Sequence, residues 1–398
     1  VKRVLIFGLT VLALSVAAMV LTGNQPAYAD CTPVSTGGVD VIVCDTDAPQ
    51  PAPGVDAGAG NDRVTVTIGG QVFFIYGNTG NDILRNQGGF VLDFMAGGAN
   101  NDTIINNGLV DGIAGDLDVE FGGNDIIRNN GTADVIFGDG DTEFGGADVI
   151  INKGLVEFIA GDSAFEGGSD TITNNGEVEG ICGDDAFEGA SDWITNNGYA
   201  EFIGGDCAYF GTGDTIINNG AVDFIAGDAA FEGGDDYIEN NGDVWEAICG
   251  DEAEIAGNDT IVNNGWAWNI YGDCAGSSGD DTIINNGWAY YIYADDGVIS
   301  TDGDDWVWNY GGVGDGGIST GGGDDVVVIT PGSYVEGWID GGEGNEVTGD
   351  VLAKYADNGD GVATVARTVD VSTLGITSFF WQGNTYTFLN FEWVQIWR

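Results

Sequence analysis

The chain has 398 residues, 70 of them glycine, with 64 acidic side chains against 9 basic ones, no histidine and a formal net charge of −55. That sign excludes nucleic acid as a partner, and 43% hydrophobic residues with 11% aromatics is too apolar for a charged, disordered chain. A folded chain this acidic repels itself unless cations sit among its carboxylates.

Lys2 and Arg3 precede an apolar run from Val4 to Leu21, and Ala27-Tyr28-Ala29 follows. This is the pattern of a Sec-type signal peptide over 1–29, cut before Asp30. It predicts a secreted or cell-surface prokaryotic protein with no membrane span once the leader is removed. Export makes the cysteines disulfide candidates. Cys31 and Cys44 flank a strand-like run, Val39 to Val43, and would staple an N-terminal cap. Residues 30–54 read as that cap and a linker containing Pro49, Pro51 and Pro53.

From 55 to 330 one unit repeats. Its anchor is an aspartate that precedes an apolar strand: Asp62, Asp82, Asp102, Asp125, Asp148, Asp170, Asp192, Asp214, Asp236, Asp259, Asp281, Asp305 and Asp325. The steps are 20 to 24 residues, a period that belongs to solenoids. Two residues after each anchor stands Val, Leu or Ile between freely varying neighbours, as in Thr171-Ile172-Thr173. One apolar position between two free ones is a short strand with its middle side chain inward. Asparagine stands four residues after the anchor and glycine six after it in eleven consecutive copies, Asn86 to Asn309 and Gly88 to Gly311. The Asn-Asn-Gly reads as a turn in which the second Asn or the Gly takes positive φ. The first Asn, stacked copy on copy, would form an internal amide ladder.

A second apolar pair follows, such as Val178 and Ile181, and then Gly-Asp, at Asp116, Asp139, Asp162, Asp184, Asp206, Asp228, Asp251 and Asp273. A glycine-rich acidic loop returns to the next anchor. The fold class predicted is all-β: a parallel, β-roll-like β-solenoid of about 13 rungs with β caps at both ends. At ~4.8 Å per rung the stack is roughly 60 Å long. Cys182 and Cys207 flank Gly-Asp pairs of successive rungs, and Cys249 and Cys274 repeat that register, so two rung-to-rung staples are expected.

Calcium takes six to eight oxygens from carboxylates, carbonyls and water. The loop GDSAFEGGSD offers Asp162, Glu166 and Asp170, and the next rung repeats the set as Asp184, Glu188 and Asp192. A column of calcium sites along one edge of the stack is the arrangement these residues predict. The stretches GAGNDRVTV (Gly58–Val66), NTGNDILRN (Asn78–Asn86) and GGNDIIRN (Gly122–Asn129) resemble the nonapeptide GGxGxDxUx of the RTX, or haemolysin-type, calcium-binding β-roll. The resemblance covers about Val55 to Asn345, with a degenerate late copy at Gly341–Val347. It implies that the anchors bind calcium together with carbonyls of the glycine turn. The chain departs from that family in three respects: the Asn-Asn-Gly edge carries no acid, the loop is longer from Gly161 on, and the leader is of Sec type.

Ten of the eleven tryptophans lie at or after Trp245. Trp266 and Trp288, Trp268 and Tyr290, and Tyr271 and Tyr293 occupy equivalent places in successive rungs, so stacking would align them as outer aromatic columns. These read as a contact surface for glycan or for another copy, or as a face that the C-terminal segment folds back to cover. Beyond Pro331 the period breaks, and 331–398 reads as a C-terminal β cap.

The leading functional reading is a calcium-stiffened structural or adhesive protein outside the cell, able to assemble with itself into filaments or layers, and not an enzyme. The runner-up is a parallel β-helix enzyme that cleaves polysaccharides; the few solenoid cations, Arg63, Arg85, Arg128 and Lys153, give it little to work with. An ice-binding protein is third, with a mixed outward row (Thr171, Trp193, Thr215, Tyr237, Thr260) set against it.

Overall fold

A computed structural model describes residues 30–32, 37–45, 54–274, 276–295, 303–342, 350–355, 365–370, 377–381, 384–391 and 393–397. The expected signal peptide, most of the expected linker and most of the late copy at 341–347 lie outside the described residues. Those described contain no helix, and the chain winds as the parallel β-solenoid that its period predicts.

Each rung contributes one strand to each of two sheets. The first sheet stacks the four-residue anchor strands Arg63–Val66, Ile83–Asn86, Thr103–Asn106, Ile126–Asn129 and so on to Val326–Ile329, all parallel. In the repeats the equivalent residue always pairs: Ile150 with Ile172, then Ile172 with Ile194. The second sheet stacks the longer strands Leu109–Leu117, Thr132–Phe144, Leu155–Glu166, Glu177–Asp184 and their successors.

The core follows from the alternation. Ile150, Ile172 and Ile194 of the first sheet face Ile159, Ile181 and Ile203 of the second, all fully buried. Each such side chain contributes about 1.5–3 kcal/mol. A rung is too thin to bury its own apolar residues, so stacking replaces the helices that cover other parallel sheets.

The first asparagine of each turn is buried and forms the expected ladder. Asn152 donates from Nδ2 to Asn174 Oδ1 at 2.9 Å, and Asn174 does the same to Asn196. From Asn86 to Asn240 each Oδ1 also accepts the N–H of its own turn glycine, as Gly176 to Asn174 at 3.1 Å, so these buried amides are satisfied. A second ladder, of exposed second asparagines, runs beside it: Asn219 donates to Asn197 at 2.9 Å and Asn264 to Asn241 at 2.9 Å.

The turn glycines differ from expectation. Gly88 has φ 115°, but the later ones, Gly108 to Gly311, do not enter the left-handed region. Glycine stands there because the turns approach closely: a Cβ on Gly176 would lie 2.1 Å from the Gly154 carbonyl oxygen one rung below.

The parallel stacking also runs past both expected bounds. Val41–Asp45 already pairs in parallel with Arg63–Val66, and Asp30–Thr32 lies antiparallel outside it. At the other end Val351–Tyr355 stacks on Val326–Ile329, and Trp393–Trp397 stacks on it in turn. The antiparallel strands Val365–Asp370 and Thr377–Trp381 then pair with the last parallel ones. Antiparallel partners occupy edges that would otherwise offer unpaired backbone groups.

A buried aspartate column as candidate metal centre

The anchors lie where the acidic loop turns into the first sheet, inside the stack rather than on its rim. Asp62, Asp82, Asp102, Asp125, Asp148, Asp170, Asp192, Asp214, Asp236, Asp259, Asp281, Asp305 and Asp325 are all between 0 and 4% exposed. Each accepts on Oδ1 the backbone N–H of the preceding anchor. Asp148 donates to Asp170 and Asp170 to Asp192, both at 2.6 Å, and the chain of bonds runs from Asp40 to Asp350. Asp40 and Asp350 are further anchors. Their Asp-x-Ile and Asp-x-Leu patterns were legible in the sequence, but each stands beside a linker or a break in the period.

The other oxygen is the notable one. From Asp62 to Asp305 every anchor Oδ2 is buried with no hydrogen-bond partner. Its neighbour is another acceptor. A Cβ built on Gly161 would stand 1.9 Å from Asp170 Oδ2 and 2.3 Å from the Gly183 carbonyl oxygen. On Gly183 it would stand 2.1 Å from both Asp192 Oδ2 and the Gly205 carbonyl. Glycine therefore keeps open a cradle in which a carboxylate and a carbonyl oxygen converge.

The Gly-Asp residues Asp116, Asp139, Asp162, Asp184, Asp206, Asp228, Asp251 and Asp273 form a second buried row beside the first. Most accept a backbone N–H from the previous member, as Asp139 to Asp162 Oδ1 at 3.0 Å. All hold their own returning loop through Oδ2, as with Gly168 to Asp162 at 2.7 Å and Gly234 to Asp228 at 2.8 Å. Asp295, preceded by alanine rather than glycine, continues this row opposite Asp273.

The two rows interdigitate into triads whose oxygens lie within 4.8 Å of one another: Asp102, Asp116 and Asp125; Asp125, Asp139 and Asp148; Asp148, Asp162 and Asp170; Asp184, Asp192 and Asp206; Asp206, Asp214 and Asp228. Glu166 and Glu188, expected in these sets, are backbone neighbours on the outer strip instead.

Burial pushes the Asp102 carboxyl up to about 9 and Asp125 to about 8, and adjacent carboxylates add to the rise. Asp170 and Asp214 rise well above the usual carboxylate range, first by burial and then by their neighbours Asp162 and Asp206. Such a column cannot stay charged and dry. Each rung needs a proton or a cation.

The three disulfides are Cys31–Cys44, Cys182–Cys207 and Cys249–Cys274. The second joins the two rungs that enclose the triad of Asp184, Asp192 and Asp206. The aromatic pairs stack as their register predicts: Trp266–Trp288 at 5.5 Å, Trp268–Tyr290 at 4.8 Å and Tyr271–Tyr293 at 5.2 Å between ring centroids. Trp268 stays 44% exposed. The described C-terminal strands extend the end of the stack. A further column escaped the sequence reading: Phe165, Phe187, Tyr209 and Phe231 stack on the outer loop at 5.1, 5.4 and 4.9 Å. Its signal was the recurring Ala-aromatic pair within the loop.

No family model matches the chain, and no curated protein does. Among solved structures it is similar to the crystal structure of a hyperactive, Ca2+-dependent, β-helical antifreeze protein from an Antarctic bacterium. The two share 18% identity with a TM-score of 0.47, over 83% of this chain and 88% of that one. A likeness so distant says nothing about function.

Proposed function

We propose that this is a calcium-binding structural or adhesive protein, secreted through its Sec-type leader and stiffened by cations outside the cell. The observation that carries this reading is the row of buried, partnerless Oδ2 atoms, which from Asp125 to Asp259 each face a glycine carbonyl across a cradle that admits no Cβ. The donors are all hard oxygens, carboxylate and carbonyl, with no thiol or imidazole, and this is the set calcium prefers to zinc or copper. The anchors from Asp62 to Asp305 would hold the ions, joined in the middle rungs by the Gly-Asp row. Bound calcium would supply positive charge between rungs that otherwise repel.

The enzyme reading fares worse on physical grounds. The carboxylates close enough to act as an acid–base pair are sealed between rungs, where no polysaccharide reaches them. The aromatic columns suit packing better than sugar binding. With centroids 4.8–5.5 Å apart and planes within 13°, the rings spend their faces on each other along the stack. Self-association through the exposed ring edges is the partner this arrangement favours.

One observation favours ice binding as the second reading. The first sheet is regular, with outward columns such as Thr171, Thr215 and Thr260 beside the exposed asparagine ladder. Trp193, Tyr237 and Trp306 interrupt those columns. Thermal hysteresis of the folded chain decides it.

The test of the main reading is isothermal titration of the chelator-treated chain with calcium, followed by circular dichroism. Several ions per chain with a gain of β-signal are expected. A chain that neither binds calcium nor changes its melting with chelator sinks the proposal.

A further inference from the structure

The outward face of the first sheet is unlike the rest of the surface. In each four-residue strand the second and fourth side chains are buried and the first and third point out, as in Thr171–Asn174 and Trp193–Asn196. From Arg63–Val66 to Thr282–Asn285 the outward residues are mostly Thr, Ile and Val, and the charges among them are Arg63, Arg85, Arg128 and Glu239. On a chain of net charge −55 this face is slightly positive. The second sheet differs, with Asp111, Asp134, Glu157, Glu179, Glu201 and Asp223 in one outward column. Copies of so acidic a chain repel wherever carboxylates meet, and the first sheet is where they can approach.

Its area suits that role. Eleven rungs at ~4.8 Å and four residues at ~3.3 Å give roughly 50 by 13 Å, or about 1,300 Å² for a facing pair. A specific interface needs about 1,000 Å². These strands pair without a register shift, whereas the second sheet shifts at Thr132–Phe144 and Asp243–Cys249.

The mixed row that counts against ice makes the face self-complementary. Thr171, Trp193, Thr215, Tyr237 and Thr260 alternate small and large from rung to rung. Trp193 is 49% exposed and Tyr237 37%. Trp193 Nε1 donates to Thr195 Oγ1 at 3.2 Å, and the Tyr237 hydroxyl donates to Glu239 Oε2 at 3.3 Å. With their polar tips held on their own strands, both rings offer apolar surface. Thr215 leaves a gap of about 10 Å between their rungs.

We infer that this face pairs with the same face of a second copy, about a two-fold axis between the rungs of Asp170 and Asp192. Such an axis sets each Trp193 over Thr171 of the other copy. It also brings Arg128 of one copy opposite Tyr237 and Glu239 of the other, twice by symmetry. The pairing rests on the self-associating structural reading and adds to its ring-edge contacts a face that closes as a dimer.

The test is sedimentation equilibrium of the calcium-loaded mature chain, with calcium bound per chain titrated on the same samples. A dimer is expected, weakened at least about 30-fold by W193T/Y237T. R128E and E239R should each weaken it, and R128E/E239R, which restores opposite charges at both ends, should recover the parental Kd. W268A/Y290A, which removes ring edges of the second sheet, should leave the dimer intact. A chain monomeric throughout overturns the pairing, and thermal hysteresis from that monomer gives the face to ice instead. A dimer that the double reversal does not rescue, or that W268A/Y290A abolishes, overturns it too. A monomer that still binds several calcium ions separates this failure from failure of the buried column.

Discussion

The rungs at Asp62 and Asp82 and those from Asp125 to Asp281 close a parallel turn over a buried acid by different means. The early rungs are 20 residues apart and turn sharply through left-handed residues: Gly58, Gly60, Asn78 and Gly80 have φ of 94°, 132°, 75° and 132°. They carry no Gly-Asp partner. The later rungs use two or three residues more, and between Gly98 and Gly317 the described residues with positive φ are Asn100, Asp118 and Asp141 alone. There a second aspartate does what the left-handed turn does earlier, by accepting the loop's N–H groups.

The difference shows in the carboxyls. Burial lifts Asp82 to about 6 and Asp102 to about 9, and at Asp102 the neighbouring Asp125, Asp82 and Asp116 add to the rise. Doubling the acids steadies the loop and raises the demand for neutralisation. The middle of the stack should therefore depend on cations more than its beginning, and that is where both rung-to-rung disulfides lie.

The largest effect expected is from chelation. At pH 8, EDTA should lower the melting temperature by more than about 10 °C, since each site filled at a hundred times its Kd adds about 2.7 kcal/mol. Hydrogen exchange should find the middle rungs loosened before Arg63–Val66; uniform loosening would break the comparison.

Next comes pH in EDTA. The folded-state values of Asp102 and Asp125 lie above the unfolded value of 3.8. Their contribution to stability is then complete below about pH 4 and is lost as pH rises through about 8–9. The metal-free chain should melt higher at pH 5 than at pH 8, while saturating calcium should flatten or invert that order. A metal-free stack that gains stability toward pH 8 would contradict it.

Removing a staple is a smaller perturbation. The 25-residue span of Cys182–Cys207 corresponds to about 3–4 kcal/mol of chain entropy. The double alanine variant should lose that in denaturant melts, with the larger part of its calcium-binding loss among the middle sites.

The finest discrimination is Asp170→Asn against Asp82→Asn. The amide can donate to the Gly183 carbonyl, so Asp170→Asn should stabilise the metal-free chain by about 1–2 kcal/mol and destabilise the calcium form. For Asp82→Asn both changes should be smaller. If the sign does not reverse with calcium, cations do not neutralise the column.

Much of this was legible in the sequence. Both aspartate rows, the Ile columns, the Asn174-type ladder and the cysteine register all follow from identical residues at a fixed period, which parallel stacking converts into contact. What was not legible depends on contacts between rungs. Gly176 reads as a turn glycine, yet its constraint is the Gly154 carbonyl one rung away. Glu166 reads as a ligand because it lies near Asp162 in sequence, yet its backbone pairs with Glu188 of the next rung and the triads are built from the two aspartate rows. Asp141 reads as one more acid in an acidic loop until the register jump singles it out.

By itself the sequence determined the rung: its length, its inward positions and its disulfide partners, because in a repeat each residue's neighbour above is its own equivalent. Only the tertiary structure decided which carboxylate oxygens are satisfied. Asp170 gives one oxygen to a backbone N–H 22 residues back and turns the other toward a carbonyl of the rung above. The local sequence is the same for an acid that is solvated and one that is sealed in with another acceptor. Burial between rungs separates the two, and makes a cation or a proton part of the fold.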